Sequence, residues 1–212
     1  MEITWLGHSC FRLKSRDTTV IMDPPARQSG RSAGQPAADI VTISHGHPGH
    51  NGADICSGSP RVIQGPGEYE VGGVLIDGVH TFHDNQKGAE RGRNTIYVVE
   101  VEDLRVCHLG DLGHIPTAEQ TEELTGIDIL LAPIGGHSTI DASAAAEVVS
   151  LLEPKLVIPM HYRVDGAGGE LETLEPFLKQ MGISQPAAQQ RLQVTHSSLP
   201  LELQVVVLEP RR

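Results

Sequence analysis

Aromatic residues are scarce in this chain, since Phe, Trp and Tyr make up 3% of its 212 residues. Aliphatic side chains must therefore fill the interior, and the hydrophobic content of 39% is that of an ordinary globular protein. No stretch approaches the roughly 18 consecutive apolar residues of a membrane span. The opening MEITWLGHSC lacks a basic segment followed by a long apolar run, so the sequence predicts a cytoplasmic protein without a secretory signal or membrane partner.

Cysteine and positive charge are also in short supply. Cys10, Cys56 and Cys107 form no Cys-x-x-Cys pair, which excludes a zinc ribbon and fits a reducing compartment. Sixteen Lys and Arg against 27 Asp and Glu give a net charge of -11. Because nucleic-acid binding requires clustered basic residues, we expect a small-molecule substrate and no nucleic acid as partner. A homo-oligomer is compatible with this composition.

The order of predicted elements indicates an α/β fold. Short strands at hairpin spacing, among them VLIDGV and HTFHD, dominate the first half. The second half alternates strands with helices over TAEQTEEL, DASAAAEVVSLL and TLEPFLKQMG, and RLQVT and LQVVVLE close the chain as strands. Thr117 and Gln120 form a capping-box pattern at the start of the first helix. Two packed sheets with helices outside, in one domain over residues 1–212, is the simplest arrangement.

Three histidines stand within six residues in the stretch SHGHPGHNG. His45 and His47 alternate around a glycine, so on an extended segment both side chains face one side. His50 follows after a proline and a glycine. A catalytic zinc ion uses about three protein ligands plus water, so this loop can supply only part of a metal site.

Further candidate ligands follow apolar strands elsewhere in the chain. Each of them follows a predicted strand at the point where a loop begins: His83 with Asp84, Asp111 and His161. Functional residues of α/β folds gather at such positions because the strands hold the loops. Zinc is the metal that a histidine-rich site favours, although manganese and iron also suit mixed His and Asp ligands.

The order of these residues resembles that of the metallo-β-lactamase superfamily. The similarity is greatest to its cytoplasmic hydrolase branch, which includes the ascorbate-6-phosphate lactonase-like proteins. The motifs that carry it are WLGHSCF, MDP, GPGEYEVGGV, TFHD, RGRNTIYVVE, CHLGDLGH, APIGG and VIPMHY. The resemblance implies a four-layer αββα sandwich, with two mixed β-sheets, helices on the outer faces and a dinuclear metal site at one edge.

The resemblance also implies a role for each candidate residue. Metal ligands would be His45, His47 and His83 at the first ion, His50 and His161 at the second, and Asp111 between them. A hydroxide between the ions would attack a small ester, lactone or phosphoester. Asp111 and His50 would belong to the catalytic centre. Apart from the resemblance, His8 follows the N-terminal strand, and from that position we expect it to contact the substrate or buffer a proton. The cofactor would be one or two zinc ions.

Four other residues receive supporting roles or compete for a role. His80 competes with His83, which is preferred because TFHD matches the branch. Asp23 is expected to orient a ligand histidine. Asn94 either holds the loop after His83 or caps a turn, and His108 is expected to support the site without binding metal.

The histidine loop departs from the family pattern at one position. The family loop usually reads His-x-His-x-Asp-His, and its aspartate binds the second metal, whereas this chain has Gly49 there. We therefore expect a weakened second metal site. A water could fill the vacancy, or Asp84, His8 or His114 could replace the aspartate. Alternatively the protein works with one metal, or is a non-catalytic metal- or ligand-binding protein on the same fold.

Overall fold

Two β-sheets form the centre of the fold in a computed structural model that describes residues 1–164, 169–184 and 186–211. Among these residues the strands are β1 (Glu2–Gly7), β2 (Cys10–Lys14), β3 (Thr19–Met22), β4 (Ile40–Ile43), β5 (Arg61–Gln64), β6 (Gly67–Val71), β7 (Val74–Phe82), β8 (Arg93–Val101), β9 (Leu104–His108), β10 (Ile129–Pro133), β11 (Leu156–Met160), β12 (Leu192–Gln193) and β13 (Gln204–Val205). The first sheet has the order β12-β1-β2-β3-β4-β5, and the second has the order β13-β11-β10-β9-β8-β7-β6. This pairing confirms the predicted sandwich of two mixed sheets.

Strand direction brings several strand ends to a common edge of each sheet. In the first sheet β2 is antiparallel to both β1 and β3, and β4 is parallel to β3, so β1, β3 and β4 run the same way. In the second sheet β8 is antiparallel to both β7 and β9, while β10 and β11 continue parallel to β9. The carboxyl ends of these strands are where the candidate site residues begin.

Three of the seven aromatic residues pack in the core between the sheets. Trp5, Phe11 and Tyr97 are almost completely buried, and the rings of Trp5 and Phe11 stack with centroids 6.3 Å apart. The Tyr97 hydroxyl lies 3.2 Å from the carbonyl oxygens of Ile43 and Gly65 and donates to them. A buried hydroxyl normally requires such a partner, and this one ties β8 of the second sheet to the end of β4 in the first.

The helices in the described residues are α1 (Ala118–Glu123), α2 (Ala142–Leu152) and α3 (Glu175–Gln180). The capping box predicted for α1 is confirmed, because Thr117 Oγ1 accepts from the Gln120 N–H while the Gln120 side chain accepts from the Thr117 N–H. Helix α2 packs on β10 and contacts α3. The sequence predicts an apolar stripe on α2 at Ala144, Ala145, Val148, Val149 and Leu152. All but Ala144 are buried, and Ala142 is buried in addition. No helix of the described segments is both long and apolar enough to cross a membrane.

The outer face of the first sheet is covered by irregular chain. Cys10, Ile21 and Val41 form a small apolar cluster there, and Ala33 and Ala53 pack against it. The covering segments include 3-10 helices at residues 27–29 and 53–55. Residues 27–39 are rich in Gly, Pro and Ser without helical periodicity, which explains why this layer is thin.

Four predicted strands differ from the structure in length. VLIDGV and HTFHD, predicted as separate strands, form the single strand β7, in which Gly78 pairs with Tyr97 of β8. A Cβ atom on Gly78 would lie 2.8 Å from the Gly65 carbonyl oxygen, so glycine allows a neighbouring loop to approach. RLQVT and LQVVVLE shorten to the two-residue strands β12 and β13, which lie at sheet edges and have one neighbour each.

Candidate metal centre

Six side chains with metal-binding or supporting chemistry lie just after strand ends. Each comes within three residues of the end of its strand: His8 after β1, Asp23 after β3, His45 after β4, His83 after β7, Asp111 after β9 and His161 after β11. The strand directions described above place these positions at the same edge in each sheet. Side chains separated by more than a hundred positions in the sequence are therefore brought within contact distance.

Asp111 lies at the centre of this group. Its Oδ2 atom has four imidazole neighbours, at distances of 3.1 Å from His50 Nε2, 3.3 Å from His83 Nε2, 3.4 Å from His161 Nε2 and 3.8 Å from His45 Nε2. Burial opposes ionisation of Asp111, but the adjacent His161 and His50 hold its pKa well below the usual range. The centre therefore contains a carboxylate surrounded by nitrogen ligands.

Several buried polar atoms of this cluster have no hydrogen-bond partner among the described residues. They are His45 Nε2, His83 Nδ1, Asp111 Oδ1 and His161 Nδ1. Buried polar atoms are normally paired, and an unpaired one costs free energy. Nitrogen and carboxylate atoms left open in this way fit coordination to a divalent ion, so the residues present suit the metal that the sequence predicts.

The potential ligand atoms fall into two main groups. The first contains His45, His47 and His83, and the second contains His8, His50 and His161; within each group the ligand atoms lie within 4.8 Å of one another. A third, overlapping group contains Asp23, His45 and His50. The structure thus brings together all six predicted metal ligands, counting Asp111 between the two groups.

Asp23 positions two of these histidines. Its carboxylate accepts from the Ser44 N–H at 2.8 Å, from Ser44 Oγ at 2.6 Å and from His50 Nδ1 at 3.0 Å. Ser44 Oγ in turn lies 2.9 Å from His45 Nδ1. Because the Ser44 hydroxyl donates its proton to Asp23, Ser44 Oγ accepts the bond from His45 Nδ1–H. The lone pair of His45 Nε2 is then left open toward Asp111. Carboxylates that orient ligand histidines in this way are a general feature of metal sites.

His45 and His50 differ in charge despite being neighbours. Burial lowers the pKa of His45 to about 3, so its imidazole is neutral and can offer a lone pair. Burial also opposes protonation of His50, but Asp111 and Asp23 on its two sides raise its pKa to about 10. An ion that bound at His50 Nε2 would therefore have to displace a proton.

Asn94 and His108 hold the end of β9. The Asn94 amide donates to Thr81 Oγ1 at 2.8 Å and to the Leu109 carbonyl at 3.0 Å, and its Oδ1 accepts from the Asp111 N–H at 3.0 Å. His108 donates from Nε2 to the Ser9 carbonyl at 2.8 Å, which links the two sheets. Neither side chain points its polar atoms at the ion-binding groups.

Three site residues adopt left-handed backbone conformations that non-glycine residues rarely take. The φ angles are 53° for His8, 45° for Asp23 and 51° for His161. The His8 carbonyl accepts from Trp5 Nε1 at 2.9 Å and from the His161 N–H at 3.1 Å, which holds its backbone in place. Strained conformations of this kind persist where surrounding contacts fix them, and they cluster at functional sites.

Two of the candidates for replacing the missing aspartate are committed elsewhere. The Asp84 carboxylate accepts four backbone N–H bonds from the loop over residues 86–91, which lowers its pKa despite the opposing effect of burial. His114 accepts from the Phe82 N–H and donates to the Ile115 carbonyl, so both ring nitrogens are used. His8 is the remaining candidate and belongs to the second ligand group. Burial and the nearby His161 hold its pKa well below the ordinary value, so its imidazole is neutral.

An open cavity of about 670 Å³ lies in front of the ligand groups. Its walls include Arg31, Arg91 and His137, which the sequence did not mark as functional. The only signal in the sequence was that Arg31 and Arg91 lie in polar surface loops, where residues that set specificity often occur; nothing pointed to His137. Both arginines come from such loops, residues 27–39 and 84–94, whose conformations cannot be read from local patterns.

Close backbone contacts at glycines let the loops of the site meet. A Cβ atom on Gly113 would lie 2.3 Å from the Asp84 nitrogen and from the His83 carbonyl carbon, and one on Gly135 would lie 2.2 Å from the His161 carbonyl oxygen. Both contacts involve backbone atoms of, or next to, the candidate ligands His83 and His161. Glycine at these positions is therefore required for His83 and His161 to reach the cluster.

We expect Gly113→Ala to lower the free energy of unfolding by about 1–3 kcal/mol, because the added methyl group overlaps backbone that cannot rotate away. Gly46→Ala is a suitable control, since a Cβ atom there meets nothing within 4 Å. Urea unfolding of both variants checks this expectation. A Gly113→Ala protein as stable as Gly46→Ala would show that the backbone around His83 yields easily.

Comparisons with known proteins cover nearly the whole chain. A family model described as a beta-lactamase superfamily domain matches residues 2–161. The chain is 29% identical to a UPF0173 metal-dependent hydrolase of Methanopyrus kandleri, covering 99% of this chain and 97% of that protein. It is 33% identical to a UPF0173 metal-dependent hydrolase of Nitratidesulfovibrio vulgaris, covering 76% and 80%. A Thermotoga maritima structure, provisionally assigned as a zinc-dependent hydrolase of the metallo-beta-lactamase superfamily, aligns with a TM-score of 0.81 at 40% identity over 98% of this chain and 97% of its own.

Proposed function

This chain belongs to the beta-lactamase superfamily, and from that premise we propose that it is a metal-dependent hydrolase of a small ester, lactone or phosphoester. The observation that supports this most strongly is the arrangement of four imidazole nitrogens around one buried carboxylate oxygen, Asp111 Oδ2. A purely structural aspartate would not need four histidines, and three of them have a buried nitrogen atom that finds no partner in the described part of the chain.

We propose that two divalent ions share this centre. His45, His47 and His83 would hold the first ion, His50 and His161 would hold the second, and Asp111 would bridge them. Histidine-rich ligand sets favour zinc, and the zinc-dependent assignment of the Thermotoga maritima protein is consistent with that choice. A bound divalent ion lowers the pKa of its water from 15.7 to about 7 and polarises a carbonyl or phosphoryl oxygen.

The chain's own residues supply the rest of the chemistry. Asp111 contributes negative charge between the two ligand groups, and its burial excludes competing solvent. Asp23 keeps His50 and, through Ser44, His45 turned toward Asp111. Because Gly49 provides no carboxylate, we expect the second ion to be the more easily removed of the two.

The walls of the cavity favour a substrate that carries negative charge. Arg31 and Arg91 line it, although the protein as a whole has a net charge of -11. Glu170 also lines the cavity, and its carboxylate pairs with His137 Nε2 at 3.1 Å, while Arg91 Nη1 lies 3.4 Å from Glu90 Oε2 at the surface. Guanidinium groups bind carboxylates and phosphates through paired N–H donors. We therefore propose that an anionic group accompanies the bond to be cleaved.

We expect Arg91→Ala to raise the KM for an anionic phosphoester by about 10- to 150-fold, because it removes a charged hydrogen bond worth about 1.5–3 kcal/mol. The kcat should change little, and the KM for a neutral ester should stay the same. Arg61→Ala, at an exposed arginine on β5, is the control. Equal effects of Arg91→Ala on charged and neutral substrates would contradict the proposed role.

Steady-state hydrolysis tests the proposed function directly. Protein purified without chelator would be assayed with bis(p-nitrophenyl) phosphate, simple lactones and p-nitrophenyl esters, with zinc or manganese added. We expect turnover that His47→Ala abolishes and that His196→Ala, at an exposed histidine, preserves. Tight ligand or metal binding without turnover of any substrate would instead favour the non-catalytic binding protein.

A further inference from the structure

Gly49 leaves a gap that another side chain fills. A Cβ atom on Gly49 would lie 3.4 Å from His8 Nε2, an ordinary van der Waals contact, and 3.9 Å from Arg31 Nε. The φ angle of Gly49 lies outside the left-handed region, so neither backbone conformation nor steric overlap demands glycine there. A side chain at position 49 would therefore point directly at the imidazole of His8.

The His8 ring is aimed at the second ligand group. Its centroid lies 4.1 Å from that of His161 and 5.1 Å from that of His50. Potential ligand atoms of the three rings lie within 4.8 Å of one another, although His8 stands about forty positions from the histidine loop.

The backbone of His8 is held in the conformation that directs its ring toward His161 and His50. Its φ of 53° is unfavourable for a residue with a Cβ atom, and its carbonyl is held by the Trp5 indole and the His161 N–H. The second of these bonds joins His8 to another member of the same group. A solvent-facing histidine would not need a strained backbone tied to His161.

We infer that His8 is the third protein nitrogen ligand of the second metal site, in place of the carboxylate that Gly49 cannot supply. This inference rests on the proposed metal centre and concerns only which residues complete it. With His8, each ion would have three histidines and share Asp111. Exchanging a carboxylate for an imidazole removes one negative charge and makes the second site softer.

The exchange also predicts which metals the second site selects. Imidazole suits zinc, iron and nickel, whereas carboxylate suits magnesium and manganese. We therefore expect the second site to prefer zinc over manganese. Gly49→Asp should shift the preference toward manganese.

Metal titration of four proteins tests the inference without relying on activity: wild type, His8→Ala, Gly49→Asp and the double variant. Chelator-stripped protein would be titrated with zinc by calorimetry and with cobalt by visible absorption. We expect His8→Ala to weaken the second binding event by about 10- to 100-fold or more and to leave the first unchanged. The double variant should regain much of the lost affinity, because a carboxylate at position 49 can reach the vacated space.

Two further variants protect the test against trivial outcomes. His196→Ala controls for loss of an exposed histidine, and His8→Gln keeps a side chain of similar length if His8→Ala fails to fold, as judged by circular dichroism. If His8→Ala or His8→Gln binds the second zinc ion as tightly as the wild type does, and the wild type hydrolyses substrate, the role of His8 is overturned while the proposed function stands. Failure of wild type to bind zinc tightly would overturn the proposed function as well.

Discussion

Asp111→Asn should remove tight binding of both metal ions and lower kcat/KM by about a thousandfold or more, which corresponds to about 4 kcal/mol of transition-state stabilisation. Asp111 Oδ2 is the atom to which His50, His83 and His161 point their Nε2 atoms, at 3.1 to 3.4 Å. An amide in its place carries no charge and presents an N–H2 group to at least some of those nitrogens. Metal analysis after gel filtration, together with steady-state kinetics, measures both effects.

The control for Asp111→Asn is Asp103→Asn, at an exposed aspartate in the turn between β8 and β9. Asparagine tolerates the left-handed conformation found there, so this variant should match the wild type in stability and metal content. Metal content that survives in Asp111→Asn would show that the two groups of histidines hold their ions independently. That result would contradict a bridging role for Asp111.

The metal centre could be foreseen because its parts lie at regular places in the sequence. His45, His47 and His50 share one short loop, and Asp111 and His161 each come directly after an apolar strand. Those strands are buried, and their direction follows from the order of hairpins and crossovers. What the sequence could predict was therefore the identity of residues at strand ends, and the structure brings those residues together.

The relation between His8 and Gly49 could not be derived from the sequence. Three candidates were open for replacing the absent aspartate, and nothing local distinguishes His8 from Asp84 or His114. The distinction arises from backbone hydrogen bonds. Loop N–H groups occupy Asp84, a strand N–H and a carbonyl occupy His114, and the contact of His8 with His161 depends on two sheets meeting.

Loop geometry was also beyond prediction. Arg31 and Arg91 reach the cavity because of turns whose shape depends on tertiary contacts, such as the Asp84 carboxylate that gathers four N–H groups. The thin outer layer over the first sheet has the same origin. Segments without apolar periodicity take their conformation from what they cover, so residue patterns alone do not define them.

Asp23→Ala should be strongly destabilising, although Asp23 lies outside the proposed ligand set. It leaves the Ser44 N–H, the Ser44 hydroxyl and His50 Nδ1 without their buried acceptor, and removing one partner of a buried charged pair costs about 3–5 kcal/mol. The second metal ion should bind about 10- to 100-fold more weakly, because His50 loses the group that orients it. Urea unfolding and zinc titration measure these two effects separately.

The pH dependence of the free energy of unfolding separates the contribution of the Asp23 charge from that of its packing. Burial opposes its ionisation, but the hydrogen bond from His50 holds the pKa below the ordinary value. A carboxyl group whose pKa is lowered on folding adds stability above its unfolded pKa, and this contribution is lost as the pH falls through the folded pKa. The stability difference between wild type and Asp23→Ala should therefore be full at pH 7 and shrink below about pH 4.

Asp39→Ala is the control. It removes an exposed aspartate that accepts one bond from the Thr19 N–H, and it should cost at most about 1 kcal/mol at any pH. A difference for Asp23→Ala that stays constant down to pH 3 would assign its effect to lost packing instead of to the carboxylate that orients His50 and His45.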